Sequence, residues 1–246
     1  GALKVAAERT AQAERGEILG PLHGIPLGVK DIIDVAGLPT RCNCEALNYS
    51  PPAAADAEVV LSLKASGAIV MGKTHTTEFA LFDPSPACNP HNTDHTPGGS
   101  SSGSGAAVAS GTVPVALGTQ TLASVNRPAA YCGISAFKPS TRSMSSFGVA
   151  PLAPSFDTIG FYGWTVDDAV YAYEAAVAHV PTPVSNQDNI INSRIIIIDD
   201  PLIADCGADM SKAFDVETER FRWLGHRIER VASPIPFASL RKLHWN

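Results

Sequence analysis

Thr96-Pro97-Gly98-Gly99-Ser100-Ser101-Ser102-Gly103-Ser104-Gly105-Ala106-Ala107 is the stretch on which the reading of this chain turns. Glycine permits positive φ and close approach of a neighbouring backbone. Serine adds a small hydroxyl that both donates and accepts hydrogen bonds. Followed by a helix, such a run can cradle an anion at the helix N-terminus. No Gly-Lys-Ser/Thr ends it, so it is not a Walker loop. A flexible linker is the plainer alternative. A linker, however, is rarely set between a Pro-terminated turn and an apolar strand inside a compact domain.

Around this run the pattern alternates between helical and extended periods. Residues 2–15 and 56–66 have helical spacing, the second stopping at Gly67. Residues 25–35 read as a buried, β-branched strand and 68–71 as a short one, followed by a short helix over 77–81. Residues 83–105 read as irregular, 106–110 as helical and 113–118 as a strand. Further strands are expected at 134–137, 158–161, 194–198 and 227–231. Thr165-x-x-Asp168 resembles a capping box opening a helix to about Val180, and a last helix is expected over Met210–Leu224. The alternation predicts an α/β fold: a mixed β-sheet core covered by helices on both faces. Residues 1–180 are expected to form the core, Pro181–Asn189 a linker, and residues 181–246 the start of a second half, truncated at the C-terminus.

Composition narrows the function classes. Of the 246 residues, 45% are hydrophobic and only 17% charged, which suits a chain with a sizeable interior. The net charge of −6 and the absence of any Lys/Arg block argue against direct nucleic-acid binding. Cys42, Cys44, Cys88, Cys132 and Cys206 are an odd set at irregular spacings, which does not read as a disulfide framework. Cys42-x-Cys44 is poor zinc spacing and no second Cys/His pair follows it. No apolar run approaches the ~20 residues of a membrane span, and Gly1–Gly16 lacks a signal-peptide core, so a cytoplasmic location is expected. No motif implies a metal or a cofactor. His23, His75, His91 and His95 come without an HExxH or GxSxG pattern and read as structural or surface histidines.

Gly98-Gly-Ser-Ser-Ser-Gly-Ser-Gly-Ala-Ala resembles the central motif of the amidase signature family. Upstream, Gly20-Pro-Leu-His-Gly-Ile-Pro-Leu-Gly-Val-Lys-Asp is similar to that family's lysine strand, continued by Asp34-Val-Ala-Gly-Leu-Pro-Thr. Gly72-Lys-Thr-His-Thr-Thr-Glu-Phe-Ala resembles a segment ahead of the loop. Gly118-Thr-Gln-Thr-Leu-Ala-Ser-Val-Asn-Arg-Pro-Ala-Ala-Tyr-Cys-Gly looks like the nucleophile segment, and Pro151-Leu-Ala-Pro-Ser-Phe-Asp-Thr-Ile-Gly like the family's next segment downstream. The likeness is close over residues 20–180 and looser beyond. Taken singly, Lys30 reads as a strand-edge lysine, Ser100 as loop filler and Ser124 as a helix cap before Pro128. The ordered set of motifs gives them a joint meaning.

The resemblance implies a Ser–cis-Ser–Lys triad: Ser124 as nucleophile, Ser100 as bridge, Lys30 as base, and a cis bond between Gly99 and Ser100. It implies an oxyanion hole made by the backbone N–H groups of Thr121, Leu122, Ala123 and Ser124. The base requires a neutral amine, so the usual lysine pKa of about 10.4 has to be lowered by burial. Asn126 and Arg127, beside the nucleophile, are candidates for binding the substrate, with a structural ion pair the alternative for Arg127. The implied reaction is hydrolysis of a carboxamide C–N bond in a small molecule, releasing ammonia or an amine. Two alternatives stay open: the amidase subunit of a glutamine-dependent amidotransferase, and a catalytically inactive homologue that acts as a binding protein. No membrane partner is implied, and homo-oligomerisation is left open. The chain departs from the family at Leu122-Ala123, where glycine is usual before the nucleophile, and at Gln120, where Asp is frequent. Side chains at 122 and 123 are expected to restrict φ and narrow the oxyanion hole.

Overall fold

The computed structural model describes residues 1–177 and 193–244. The chain divides into two compact units, Gly1–Pro181 and Thr182–Asn246. The first holds helix α1 (Ala2–Glu14), strand β1 (Pro26–Lys30), helix α2 (Glu58–Ala65), strands β2 (Ile69–Thr74) and β3 (Val115–Gln120), with helix α3 (Ser102–Ala109) before β3. Helix α4 (Asn126–Cys132), strands β4 (Ser135–Phe137) and β5 (Thr158–Gly163) and helix α5 (Val166–Ala176) complete it. The strands form one mixed sheet in the order β2-β1-β3-β5-β4. β1 runs parallel to β2 and β3, and β5 is antiparallel to both β3 and β4.

Successive strand residues point to opposite faces of a sheet, and the buried side chains sort accordingly. Val115 and Leu117 of β3 and Ile159 and Phe161 of β5 join the core built with Val60 and Leu63 of α2 and Ala169 and Ala172 of α5. Ala116 and Tyr162, each one residue out of step, join a second core with Val108 of α3, Val125 and Ala129. Helices therefore cover both faces, and the expected α/β class with a mixed sheet holds. The expected capping box also forms: Asp168 N donates to Thr165 Oγ1 at 3.1 Å, and Thr165 N donates to Asp168 Oδ2 at 2.9 Å.

Three local readings are corrected. The strand expected over 25–35 ends at Lys30, because Ile32 N and Ile33 N turn back to the Lys30 carbonyl at 2.8 and 2.9 Å. Asp31 leaves the sheet to pair with Lys73 at 2.9 Å. The Ser/Gly run is half helix rather than irregular to residue 105, since α3 begins at Ser102. Its glycines serve close packing: a Cβ on Gly103 would lie 2.3 Å from His75 N, and one on Gly105 3.0 Å from Pro128 Cβ. Helix α4 matches none of the elements expected above, although Ser124 taken singly reads as a helix cap before Pro128. Pro128 falls in the first turn, where its missing N–H has no intrahelical acceptor to lose. Residues 178–180 of the expected helix and the expected linker 181–189 lie outside the described residues.

The clash at Gly103 carries a prediction. Gly103→Ala should destabilise the protein by about 1–3 kcal/mol through overpacking against a backbone atom that cannot move alone. Urea unfolding monitored by circular dichroism checks it. A midpoint unchanged from wild type would show that α3 does not approach the His75 backbone as closely as described.

In the second unit, strands β6 (Arg194–Asp199) and β7 (Arg227–Ala232) pair in parallel. Parallel neighbours need a crossover, supplied by helices α6 (Pro201–Ala204) and α7 (Ala208–Trp223), and helix α8 (Phe237–His244) follows β7. Asp200, 8% exposed, accepts from Leu202 N at 2.9 Å and Phe237 N at 3.1 Å, tying the starts of α6 and α8 to the end of β6. No helix among the described residues is long and apolar enough to cross a membrane.

Candidate active site

The chain passes from β1 outward to β2, then returns to the other side of β1 as β3. In open α/β sheets ligands gather at the carboxyl ends of strands where the strand order reverses. Lys30 is the last residue of β1 and Gln120 the last of β3, so both flank that point. The peptide bond between Gly99 and Ser100 is cis. Ser100 itself precedes α3, and its carbonyl accepts from Thr77 N at 3.0 Å.

The serine hydroxyls of the run fasten α3 to the sheet. Ser101 Oγ lies 3.2 Å from both the N and the O of Thr119. Ser104 Oγ donates to the Leu117 carbonyl at 2.7 Å and lies 2.7 Å from Thr74 Oγ1. Gly103 N donates to the His75 carbonyl at 2.8 Å. Ser100 is left to face Lys30. The Lys30 Nζ is 2.8 Å from Ser100 Oγ and 2.8 Å from Thr119 Oγ1.

Lys30 is 0% exposed, and among the described residues no carboxylate pairs with it. Burial removes the water that stabilises an ammonium. It brings the Lys30 pKa down to about 7, against an upward pull from Asp157 and Cys42. A neutral amine carries two N–H donors and one lone pair. With Thr119 taking an N–H, the lone pair is free for the proton of Ser100.

Ser124 is half-buried and lies in the turn between β3 and α4. Its carbonyl accepts from Ser101 N at 3.3 Å and Tyr162 Oη at 3.3 Å, which seats the turn against the Ser100 segment. Among the described residues the Ser124 hydroxyl makes no hydrogen bond, so the chain Lys30–Ser100–Ser124 is closed at its first link and open at its second. The backbone N–H groups of Thr121, Leu122, Ala123 and Ser124 likewise make no hydrogen bond among the described residues.

The backbone at Leu122 and Ala123 bears on the expectation that they restrict φ. Neither residue has a positive φ, so neither position demands glycine. The Leu122 side chain is 56% exposed, turned out of the protein. Arg127 is exposed and makes no ion pair among the described residues, and Asn126 is exposed beside it. Among the described residues none of these four histidine side chains, His23, His75, His91 and His95, bonds Lys30, Ser100 or Ser124. His23 bonds the Leu19 N–H and the Arg9 carbonyl, His91 lies 2.8 Å from the Cys132 carbonyl, and His75 and His95 are exposed. The five cysteines are free thiols, and among the described residues no cluster suited to a metal ion occurs.

Sequence reasoning assigned no role to three contributors, though it noted Gln120 as a departure from the family. Thr119 gives Lys30 its second partner, but a threonine near a strand end is ordinary β-branched residue use. Gln120 Oε1 accepts from Val125 N at 2.8 Å and Asn126 N at 3.0 Å. Asp157 accepts the Thr121 hydroxyl on one oxygen, and Leu152 N and Ala153 N at 2.8 and 2.9 Å on the other. The likeness of Pro151–Gly160 to a family segment marked the neighbourhood of this last contact but not the contact itself.

Fold and cluster together place the chain among α/β proteins that carry a buried lysine–serine pair. The chain belongs to the amidase family, whose pattern matches residues 1–239. It is 36% identical, over 94% of its own length, to a glutamyl-tRNA(Gln) amidotransferase subunit from Carboxydothermus hydrogenoformans, of which it covers 51%. The corresponding amidotransferase subunit from Rhodopirellula baltica is 41% identical over 73% of this chain and 37% of its own. Among solved structures, the peptide amidase of Stenotrophomonas maltophilia superposes with a TM-score of 0.81 at 33% identity, over 94% of this chain and 52% of that one. The chain thus spans about half the length of the Carboxydothermus subunit and of the peptide amidase.

Proposed function

We propose that the protein hydrolyses a carboxamide C–N bond through a seryl acyl-enzyme. Ser124 is the nucleophile, Ser100 the bridge and Lys30 the base. The observation that carries this reading is the unpaired, fully buried Lys30 amine, held 2.8 Å from Ser100 Oγ with a pKa of about 7. Ser124 Oγ bonds to the amide carbon as its proton passes to Ser100 and that of Ser100 to Lys30. The carbonyl oxygen takes up charge against the unpaired N–H groups of Thr121, Leu122, Ala123 and Ser124. The Lys30 proton returns through Ser100 to the nitrogen, the C–N bond breaks, and ammonia or an amine leaves. Water then attacks the ester by the same relay, releasing the carboxylic acid and restoring Ser124. Exposed and unpaired, Arg127 and Asn126 are suited to meet a polar group of the substrate.

A second reading, the amidase subunit of an amidotransferase, is favoured by the amidotransferase names of the curated relatives. Release of ammonia from glutamine only when a partner protein is added would select it. Hydrolysis of a free carboxamide by the protein alone would select the first. A fluorophosphonate probe tests both against the inactive-homologue alternative, because it reacts only with an activated serine. Absence of labelling in the folded, full-length protein would exclude the acyl-enzyme.

The same reading dictates a pH profile. Below its pKa Lys30 is an ammonium and cannot take a proton. kcat/KM should therefore fall about tenfold per unit as pH drops below about 7, and level off above it. Initial rates between pH 5 and 9 check this. A flat profile through pH 7 would remove Lys30 from the role of base.

A further inference from the structure

Helix α4 begins with an unusual set of partners. Its N-cap, Val125, offers no side-chain acceptor. The first N–H groups of a helix lack intrahelical partners and need them from elsewhere. Arg127 N donates to the Ala123 carbonyl at 2.8 Å, and Pro128 has no N–H to satisfy. The remaining two, Val125 N and Asn126 N, both donate to a single atom, Gln120 Oε1, at 2.8 and 3.0 Å. Two N–H donors on one atom fix that atom as the carboxamide oxygen. Gln120 is 6% exposed and is the last residue of β3, so the acceptor rides on the rigid sheet. Only Thr121–Ser124 lie between the two ends of this contact.

We propose that Gln120 is a positioning residue for the reaction: its side-chain oxygen holds the first two N–H groups of α4 and so fixes where the Ser124 hydroxyl and the four unpaired N–H groups of Thr121–Ser124 stand relative to Lys30. At the other end of the same turn, the Thr121 hydroxyl is held by Asp157, itself fixed by Leu152 N and Ala153 N. A four-residue turn pinned at both ends needs no glycine to keep its donors aligned, which accounts for Leu122 and Ala123 in ordinary φ. The acceptor is neutral. Lys30 already feels Asp157 and Cys42, both of which favour the ammonium. A carboxylate at 120, one residue from the Lys30 partner Thr119, would add to that pull and draw the base away from its neutral form. A carboxamide supplies the acceptor without the charge.

This inference rests on the amide-hydrolase reading, and its test separates the two. Gln120→Met keeps the length and removes the acceptor; Gln120→Glu keeps the acceptor and adds the charge. With the full-length protein and a hydrolysable carboxamide, Gln120→Met should lower kcat by roughly 10²-fold with KM little changed, the scale of a misplaced reacting group. Gln120→Glu should restore the plateau rate to within a few-fold of wild type while moving the limb near pH 7 upward by about one unit. A Met variant with wild-type kcat would overturn the proposal. So would a Glu variant that loses as much as Met, or one whose limb does not move. Should Gln120→Met fail to fold in a thermal melt, the Glu variant alone decides. If wild-type hydrolysis survives Ser124→Ala, the underlying reading fails instead, whatever residue 120 does.

Discussion

Lys30→Met is expected to lower amide hydrolysis by roughly 10⁴-fold, the scale of removing a catalytic base from a unit that works together, while leaving a folded protein. Methionine matches the length of the lysine stem and fills a slot that is 0% exposed. Its effect on stability has a sign that depends on pH. The Lys30 pKa is about 7 in the folded protein against 10.5 for the free side chain. Between those values the unfolded chain holds a proton that the folded one does not, so wild-type stability rises with pH across that window. Below pH 7 both states are protonated and the folded one carries the whole penalty, roughly 5 kcal/mol at about 1.4 kcal/mol per unit. Methionine has no proton to bind. Removing the amine leaves Ser100 Oγ and Thr119 Oγ1 short of a partner, a cost of about 1–3 kcal/mol each that does not vary with pH. The stability of Lys30→Met relative to wild type should therefore decline by about 3 kcal/mol between pH 7 and 9.5. Paired urea titrations at the two pH values measure it. A difference that does not change with pH would mean that Lys30 is an ordinary charged lysine, and the proposed base would be lost with it.

How much of the fold was legible in the sequence depends on the range of the forces involved. Short apolar runs bounded by turn residues marked the five strands of the first unit, because a strand buried on both faces is apolar throughout. The capping box at Thr165 was readable because its two partners are three residues apart. The end of β1 at Lys30 was not. Ile32 and Ile33 are as apolar as the strand before them, and what turns the chain is Asp31 reaching Lys73, a partner far along the sequence. The glycines of the Ser/Gly run were read as positions for positive φ or close backbone approach, with no partner identified. Two of them are space for a backbone and a proline that only the folded topology brings near. The same holds for the candidate site. Lys30, Ser100 and Ser124 were picked out by resemblance alone, since a separation of 70 residues between Lys30 and Ser100 carries no periodic signal. Thr119, Gln120 and Asp157 act through hydrogen bonds to particular atoms, Gln120 and Asp157 each accepting more than one, and no periodicity announces them.

Ser124→Ala should remove labelling by a fluorophosphonate and reduce turnover by roughly 10⁴-fold or more, with the melting temperature unchanged. Stability should not move, because the Ser124 hydroxyl holds nothing in place: among the described residues it makes no hydrogen bond, and the contacts that seat the turn, Ser101 N and Tyr162 Oη, go to its carbonyl. Ser100→Ala is the informative contrast. Its hydroxyl touches Lys30 at 2.8 Å, and Ser100 is 2% exposed, so the substitution leaves a buried amine one partner short. It should cost both turnover and about 1–3 kcal/mol of stability. The proposed nucleophile and bridge would thereby be told apart without reference to any relative: loss of the first hydroxyl should affect turnover alone, loss of the second both turnover and stability. If Ser124→Ala kept its labelling, the nucleophile would have to be sought elsewhere. The neighbouring hydroxyls offer poor substitutes, since Ser101 and Ser104 are fully buried and already bonded to Thr119 and Leu117 of β3. Loss of labelling in Ser124→Ala, with a melting curve that overlays the wild type, would leave the serine that the fold holds half-open at the end of β3 as the one that forms the ester.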